Sequence, residues 1–101
     1  MNTTKPFSIA AEILAKKWSL IIVHLLIDGE KRFSELEKSI KDISPKVLSL
    51  TLFTLQKYGI VEREVETTSP IKVKYKLTEK GRELAKIVEE IREWSERWSN
   101  F

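Results

Sequence analysis

The chain has 101 residues with 42% hydrophobic and 33% charged side chains, a balance typical of one small soluble domain. It contains no cysteine and only one histidine, which excludes thiol chemistry and Cys/His metal sites. It also contains no glycine-rich phosphate-binding motif, so we expect no enzyme and no cofactor. No apolar run is long enough to span a membrane and no secretory leader is recognisable, so we expect a cytoplasmic protein.

The excess positive charge lies in the middle of the chain. The net charge is +3, whereas residues 31–76 alone hold ten basic and six acidic side chains. A locally basic segment favours nucleic acid as a partner, and an ordinary solvated surface is the alternative. The many Lys, Glu and Ile residues beside few Asn, Gln and Met also resemble archaeal or thermophilic compositions.

The first half of the chain predicts three helices. Residues 8–27 have helical apolar spacing, as one helix or as two with a break near residues 15–17, and Gly29 follows the end. We expect His24 to be a partly buried residue of this helix. Ser34 with Glu37 predicts a capping box that opens a short second helix. Ser44 and Pro45 predict the start of a third helix, which runs to about residue 58 and ends at Gly59.

The second half predicts a β-hairpin and a long last helix. Residues 61–65 and 71–77 alternate between apolar and polar side chains, and residues 67–70 have turn chemistry. Thr78 is the expected N-cap of a helix that reaches about residue 100. Its apolar positions have a heptad-like spacing: Leu84, Ile87, Ile91, Trp94, Trp98 and Phe101.

This order of elements predicts a mainly α fold with a β-hairpin wing, a winged helix-turn-helix with terminal dimerisation helices. We expect a single DNA-binding domain over residues 1–101. Within it, residues 1–28 form the N-terminal and core helices, 33–59 the helix-turn-helix, 60–77 the wing and 78–101 the C-terminal dimerisation helix.

Several motifs together resemble one family of regulators. They are Lys17-Trp18 before an apolar run, and the segments 32–36, 43–48, 58–63 and 70–81. In this order and spacing they are similar to the HxlR family of winged helix-turn-helix transcription regulators, over residues 6–94. The resemblance implies a homodimer that binds operator DNA, with contact between the terminal helices, and we expect a repressor. Family members often carry a cysteine beside the proline that opens the first helix, whereas Lys5 precedes Pro6 here, so we expect no thiol-based sensing. A small-molecule effector remains open.

The outer face of the third helix is the first part of the expected DNA surface. Opposite a leucine face, it presents Lys46, Leu50, Phe53 and Lys57, flanked by Ser49 and Thr54. Leu50 and Phe53 are apolar and allow three interpretations: contact with thymine methyl groups, packing of Phe53 into the core, or binding of a protein partner. A protein-interaction module that uses Leu50 and Phe53 is therefore the alternative function.

The wing lysines and Arg32 complete the expected contacts. Lys72, Lys74 and Lys76 share one strand face, which suits a phosphate backbone, although a lysine-protected sheet edge is the alternative. Arg32 is a phosphate candidate that could instead pair with Glu35. The predicted DNA-binding residues are Arg32, Ser44, Lys46, Ser49, Leu50, Phe53, Thr54, Lys57, Lys72 and Lys74. The predicted dimer interface comprises Phe7, Ile9, Ile13, Ile87, Ile91, Trp94 and Trp98.

Overall fold

The computed structural model describes residues 3–99, which form five helices and three strands. In chain order the elements are α1 (Lys5–Leu14), α2 (Lys17–Leu25), β1 (Lys31–Arg32), α3 (Phe33–Ser39), α4 (Pro45–Lys57), β2 (Val61–Glu66), β3 (Lys72–Leu77) and α5 (Glu79–Trp98). The strands make one antiparallel sheet in the order β1-β3-β2. The predicted winged helix-turn-helix class is confirmed.

Local capping signals set the ends of the main helices. The Ser44 hydroxyl accepts the backbone N–H of Val47 at 3.1 Å, and the Thr78 hydroxyl accepts the N–H of Gly81 at 3.0 Å. Each bond satisfies a donor that the first turn of a helix leaves free. Lys16 is extended, so the break between α1 and α2 is confirmed, and Gly59 follows α4 with a φ of 71°.

The start of α3 differs from the prediction. Arg32, not Ser34, occupies the N-cap position, and the Glu35 carboxylate accepts the backbone N–H of Arg32 at 3.0 Å. The capping box expected from Ser34 is therefore wrong. The reason is β1, which pairs with β3 and holds Arg32 opposite Lys74, so the chain stays extended up to Arg32. A strand of two residues is too short to show the alternation by which strands are predicted.

One hydrophobic core joins all five helices to the base of the sheet. Its most deeply buried large side chains are Ile22, Leu36, Leu48, Leu52, Leu55 and Ile60. Ile13 of α1 belongs to this core at 5% exposure, so its assignment to the dimer surface is wrong for this protomer. Packing of α1 on α2 turns Ile13 inward, whereas Ile9, one helical turn earlier, stays exposed.

Two other kinds of feature, a membrane-spanning helix and a cluster of metal ligands, are absent from the described residues. Within residues 3–99 no helix combines the length and apolarity needed to cross a bilayer. In the same part of the chain, no three His, Cys, Asp or Glu side chains lie close enough together to hold a metal ion. Phe101, the last position of the predicted apolar seam, lies outside the described residues.

Candidate nucleic-acid interface

Helix α4 has a buried face and an exposed face. Its core contacts come from Leu48, Leu52 and Leu55, each at most 1% exposed. The opposite face, reached by the 100° step between successive helix residues, carries Lys46, Leu50, Phe53 and Lys57. Leu50 is 56% and Phe53 is 66% exposed, so the interpretation that packs Phe53 into the core is wrong. Two exposed apolar side chains therefore lie between two lysines.

The charge on α4 is entirely positive. Its 13 residues include no Asp or Glu, although the chain has 15 of them, and its only ionisable side chains are Lys46 and Lys57. The hydroxyl of Thr54 donates to the Leu50 carbonyl at 3.1 Å, while Ser49 is exposed. Helix α4 thus gathers seven predicted DNA-binding residues in one region: Ser44, Lys46, Ser49, Leu50, Phe53, Thr54 and Lys57.

The wing lysines are not a free cationic row. The β2–β3 register sets glutamates directly beside lysines on one sheet face. Lys74 Nζ lies 2.9 Å from Glu66 Oε1 and 3.0 Å from Glu30 Oε1, and Lys76 Nζ lies 3.2 Å from Glu62 Oε1. The hydrogen bond with Glu66 is the main reason why the pKa of Lys74 is raised, and the same bond lowers the pKa of Glu66.

Only one lysine of this row keeps an unneutralised charge. Lys74 and Lys76 are both ion-paired with glutamates, so neither offers an open cation in this protomer. Lys72, opposite Glu66, has no carboxylate within ion-pair distance among residues 3–99. Alternation along one strand identified the shared lysine face but not the glutamates that the neighbouring strand brings to it.

Two arginines of the sheet are also exposed, Arg32 on the lysine face and Arg63 on the opposite face. Arg32 is exposed, and its expected pairing with Glu35 occurs through the Arg32 backbone N–H, not its guanidinium. Arg63 lies opposite Tyr75 in the β2–β3 register, on the other side of its strand from Glu62 and Glu64. Its exposed guanidinium has no ion pair with any described residue. The sequence analysis did not identify Arg63 as a candidate contact. Its position between Glu62 and Glu64 in a strand could have identified it, because alternation puts it on the opposite face from both glutamates.

The terminal helices carry many of the exposed large apolar side chains. Six of the seven residues predicted for the dimer interface are exposed in the protomer: Phe7, Ile9, Ile87, Ile91, Trp94 and Trp98. The four of these residues that lie on α5 form a stripe beside the face that Ala85 and Val88 bury in the core. They are Ile87, Ile91, Trp94 and Trp98. An apolar stripe of this extent is rare on the surface of a monomer.

A groove between α2 and α5 adjoins this stripe. Its volume is about 620 Å³, and apolar side chains line most of it, including Leu20, Ile21 and Ile91. At its rim, His24 Nδ1 lies 2.6 Å from Glu89 Oε2, and Arg92 Nε donates to Glu89 Oε1 at 3.1 Å. Burial acts to raise the pKa of Glu89, but the hydrogen bonds with His24 and Arg92 outweigh it, so the pKa is lowered. His24, 44% exposed at its side chain, thus links α2 to α5.

Comparison with known proteins agrees with this architecture. The profile of the HxlR-like helix-turn-helix family matches residues 13–101. The transcriptional regulator YodB of Bacillus subtilis (strain 168) is 42% identical over 89 residues, 88% of this chain and 80% of YodB. YvaP, an HTH-type transcriptional regulator of the same organism, is 41% identical over 92 residues, 91% of this chain and 85% of YvaP.

Solved structures give the same result. The redox regulator HypR in its oxidised form superposes with a TM-score of 0.89 at 38% identity, covering 95% of this chain and 99% of HypR. The reduced form of YodB superposes with a TM-score of 0.84 at 40% identity, covering 99% of this chain and 97% of YodB. These relatives are regulators and not enzymes. The chain belongs to the HxlR-like helix-turn-helix family and is a DNA-binding transcriptional regulator of that type.

Proposed function

We propose that this chain binds operator DNA as a homodimer and represses transcription by occupying the operator. The observation that carries the proposal is the exposed, acid-free face of α4 with a lysine near each end. A capped helix of this charge fits the major groove, which is about 12 Å wide. Residues 33–59 then act as the helix-turn-helix, 60–77 as the wing and 78–101 as the dimerisation helix of one domain.

The proposed contacts divide into base-facing and phosphate-facing groups. Ser49, Leu50, Phe53 and Thr54 face base edges, while Lys46, Lys57 and Arg32 meet phosphates. On the wing we propose Lys72 and Arg63 as the phosphate contacts, because Lys74 is neutralised by Glu30 and Glu66. Ser44 contributes by fixing the first turn of α4.

The proposed dimer covers the apolar stripe of the terminal helices. Helix α5 is about 30 Å long, and Trp94 and Trp98 near its end remain exposed in one protomer. Covering such aromatic side chains contributes about 25 cal/mol for each Å² removed from water. A two-fold arrangement would place the two α4 helices about 34 Å apart, as binding to successive major grooves requires.

The signal that controls DNA binding is proposed to act without thiol oxidation. HypR is described as a redox regulator, whereas this chain contains no cysteine. The α2–α5 groove lies next to the proposed dimer surface and has the volume of a small-molecule site. We therefore place any small-molecule effector in this groove.

DNA binding and oligomeric state can be measured together. Light scattering should give the mass of two chains. Fluorescence anisotropy should show binding to promoter DNA of its own or neighbouring genes at least about 10³-fold tighter than to random duplex, and binding should weaken steeply with salt. A monomer, or equal affinity for promoter and random DNA, would count against the proposal.

The alternative function keeps the fold and uses α4 as a protein-interaction face. The exposure of Leu50 and Phe53 is the observation that favours it. Leu50→Ser and Phe53→Ser separate the two functions, because both side chains lie outside the core. Loss of a protein partner with unchanged DNA affinity would support the alternative, and loss of sequence-specific DNA binding would support the operator-binding function.

A further inference from the structure

Apart from Lys46 and Lys57, which the proposed function assigns to phosphates, the outer face of α4 lacks the side chains that most often read guanine and adenine. Arginine or lysine pairs with guanine, and asparagine or glutamine pairs with adenine. Helix α4 contains no Arg or Asn, and its single amide side chain, Gln56, is half-buried. The hydroxyls of Thr51 and Thr54 donate to carbonyls of their own helix, at 2.7 and 3.1 Å. Few polar groups on this face are left to identify bases.

Apolar side chains occupy the centre of the same face. Leu50 and Phe53 are more than half exposed, and the 100° helical step places them between Lys46 and Lys57. In the major groove the C5-methyl group of thymine is the apolar group that base edges present. The methyl group of thymine therefore matches the apolar side chains of Leu50 and Phe53, and no other base presents such a group in the major groove.

We propose that Leu50 and Phe53 read thymine methyl groups, so that thymines occupy the positions of the operator half-site that they reach. This inference rests on the proposed function and specifies which bases its α4 surface selects. Charge favours DNA over a protein as the occupant, because both ionisable side chains on α4 are lysines. The two residues are about 4.5 Å apart along the helix axis, near the roughly 3.4 Å rise of one base pair, so they reach neighbouring base pairs.

The decisive test changes the DNA and leaves the protein intact. A half-site is first selected with the full chain from a pool of randomised duplexes, and deoxyuridine then replaces thymine in that half-site. This exchange removes only the methyl groups and leaves every phosphate and hydrogen-bonding group in place. We expect this exchange to lower the affinity for the half-site about fourfold for each methyl group contacted. The same exchange in a random duplex should leave the affinity unchanged.

Protein variants identify the residues that sense the methyl group. Phe53→Ser and Leu50→Ser should each reduce the ratio of thymine to deoxyuridine affinity, with unchanged unfolding midpoints because both side chains are exposed. Lys46→Gln is the matched control, since it should weaken binding to both duplexes by the same factor. Equal affinity of the unmodified chain for thymine and deoxyuridine duplexes overturns this inference and leaves operator binding standing. Failure of the pool to enrich any sequence overturns the proposed function itself.

Discussion

Gly81 and Ile60 approach each other so closely that a Cβ atom on Gly81 would lie 2.0 Å from the Ile60 carbonyl oxygen. The same carbonyl accepts the backbone N–H of Thr78 at 3.0 Å. The Thr78 hydroxyl donates to the Gly59 carbonyl and accepts the N–H of Gly81. These contacts join the end of α4 to the first turn of α5 and set the base of the wing between them.

Gly81→Ala should therefore destabilise the fold. The added methyl group meets backbone, which cannot rotate away as a flexible side chain could. We expect the free energy of unfolding to fall by about 3 kcal/mol, at the upper end of overpacking effects, as measured by urea denaturation. Glu83→Ala, at an exposed position of α5, is the control and should change stability by less than about 0.5 kcal/mol. Equal stability of the Gly81→Ala variant and the unmodified chain would contradict the close approach.

Glu89 should make stability depend on pH in the acid range. Its pKa is lowered in the folded protein, so its contribution is complete above the ordinary carboxyl value of 4.5 and is lost as pH falls through the lowered value. Glu89→Gln should be less stable than the unmodified chain near neutral pH, and the difference should shrink on acidification. Urea denaturation at a series of pH values measures this difference. Glu93→Gln, at an exposed site on the same helix, should show no such trend. A Glu89→Gln difference that is constant from neutral to acid pH would argue against the bonds with His24 and Arg92.

Arg63 and Lys74 of the wing should respond differently to charge removal. The plot of log affinity against log salt has a negative slope, and each phosphate contact that is lost reduces the magnitude of this slope by about 0.9. Arg63→Gln should reduce the magnitude by about that amount for each protomer bound. Lys74→Gln should leave the slope unchanged, because Glu30 and Glu66 already neutralise the ammonium group. The same loss of slope in both variants would mean that the Lys74 ion pairs open when DNA binds.

Trp94 should be needed for association of two chains. Its side chain is 59% exposed in the protomer and lies in the apolar stripe of α5. Trp94→Glu puts a charge into the proposed interface, so light scattering should report one chain and specific DNA affinity should fall. Val65→Glu is the control, an exposed apolar position on the wing, and should leave the mass at two chains. A Trp94→Glu variant that stays dimeric would place the interface elsewhere.

Local chemistry in the sequence was enough to predict the order of the main elements. Ser44 and Thr78 start their helices as expected, because an N-cap hydroxyl bonds to a backbone N–H only three residues along the chain. The hairpin was also predictable, since alternation with period two is a property of each strand by itself. These signals require no knowledge of distant residues.

The sequence by itself thus determined the winged helix-turn-helix order and the capped lysine-bearing helix α4. The tertiary structure decided that β1 exists, that Ile13 is buried, that Leu50 and Phe53 stay outside the core and that Lys74 is neutralised. The physical reason is separation along the chain. Lys74 meets Glu30 across 44 positions, and such contacts depend on strand register and helix packing, which no local pattern of residues encodes.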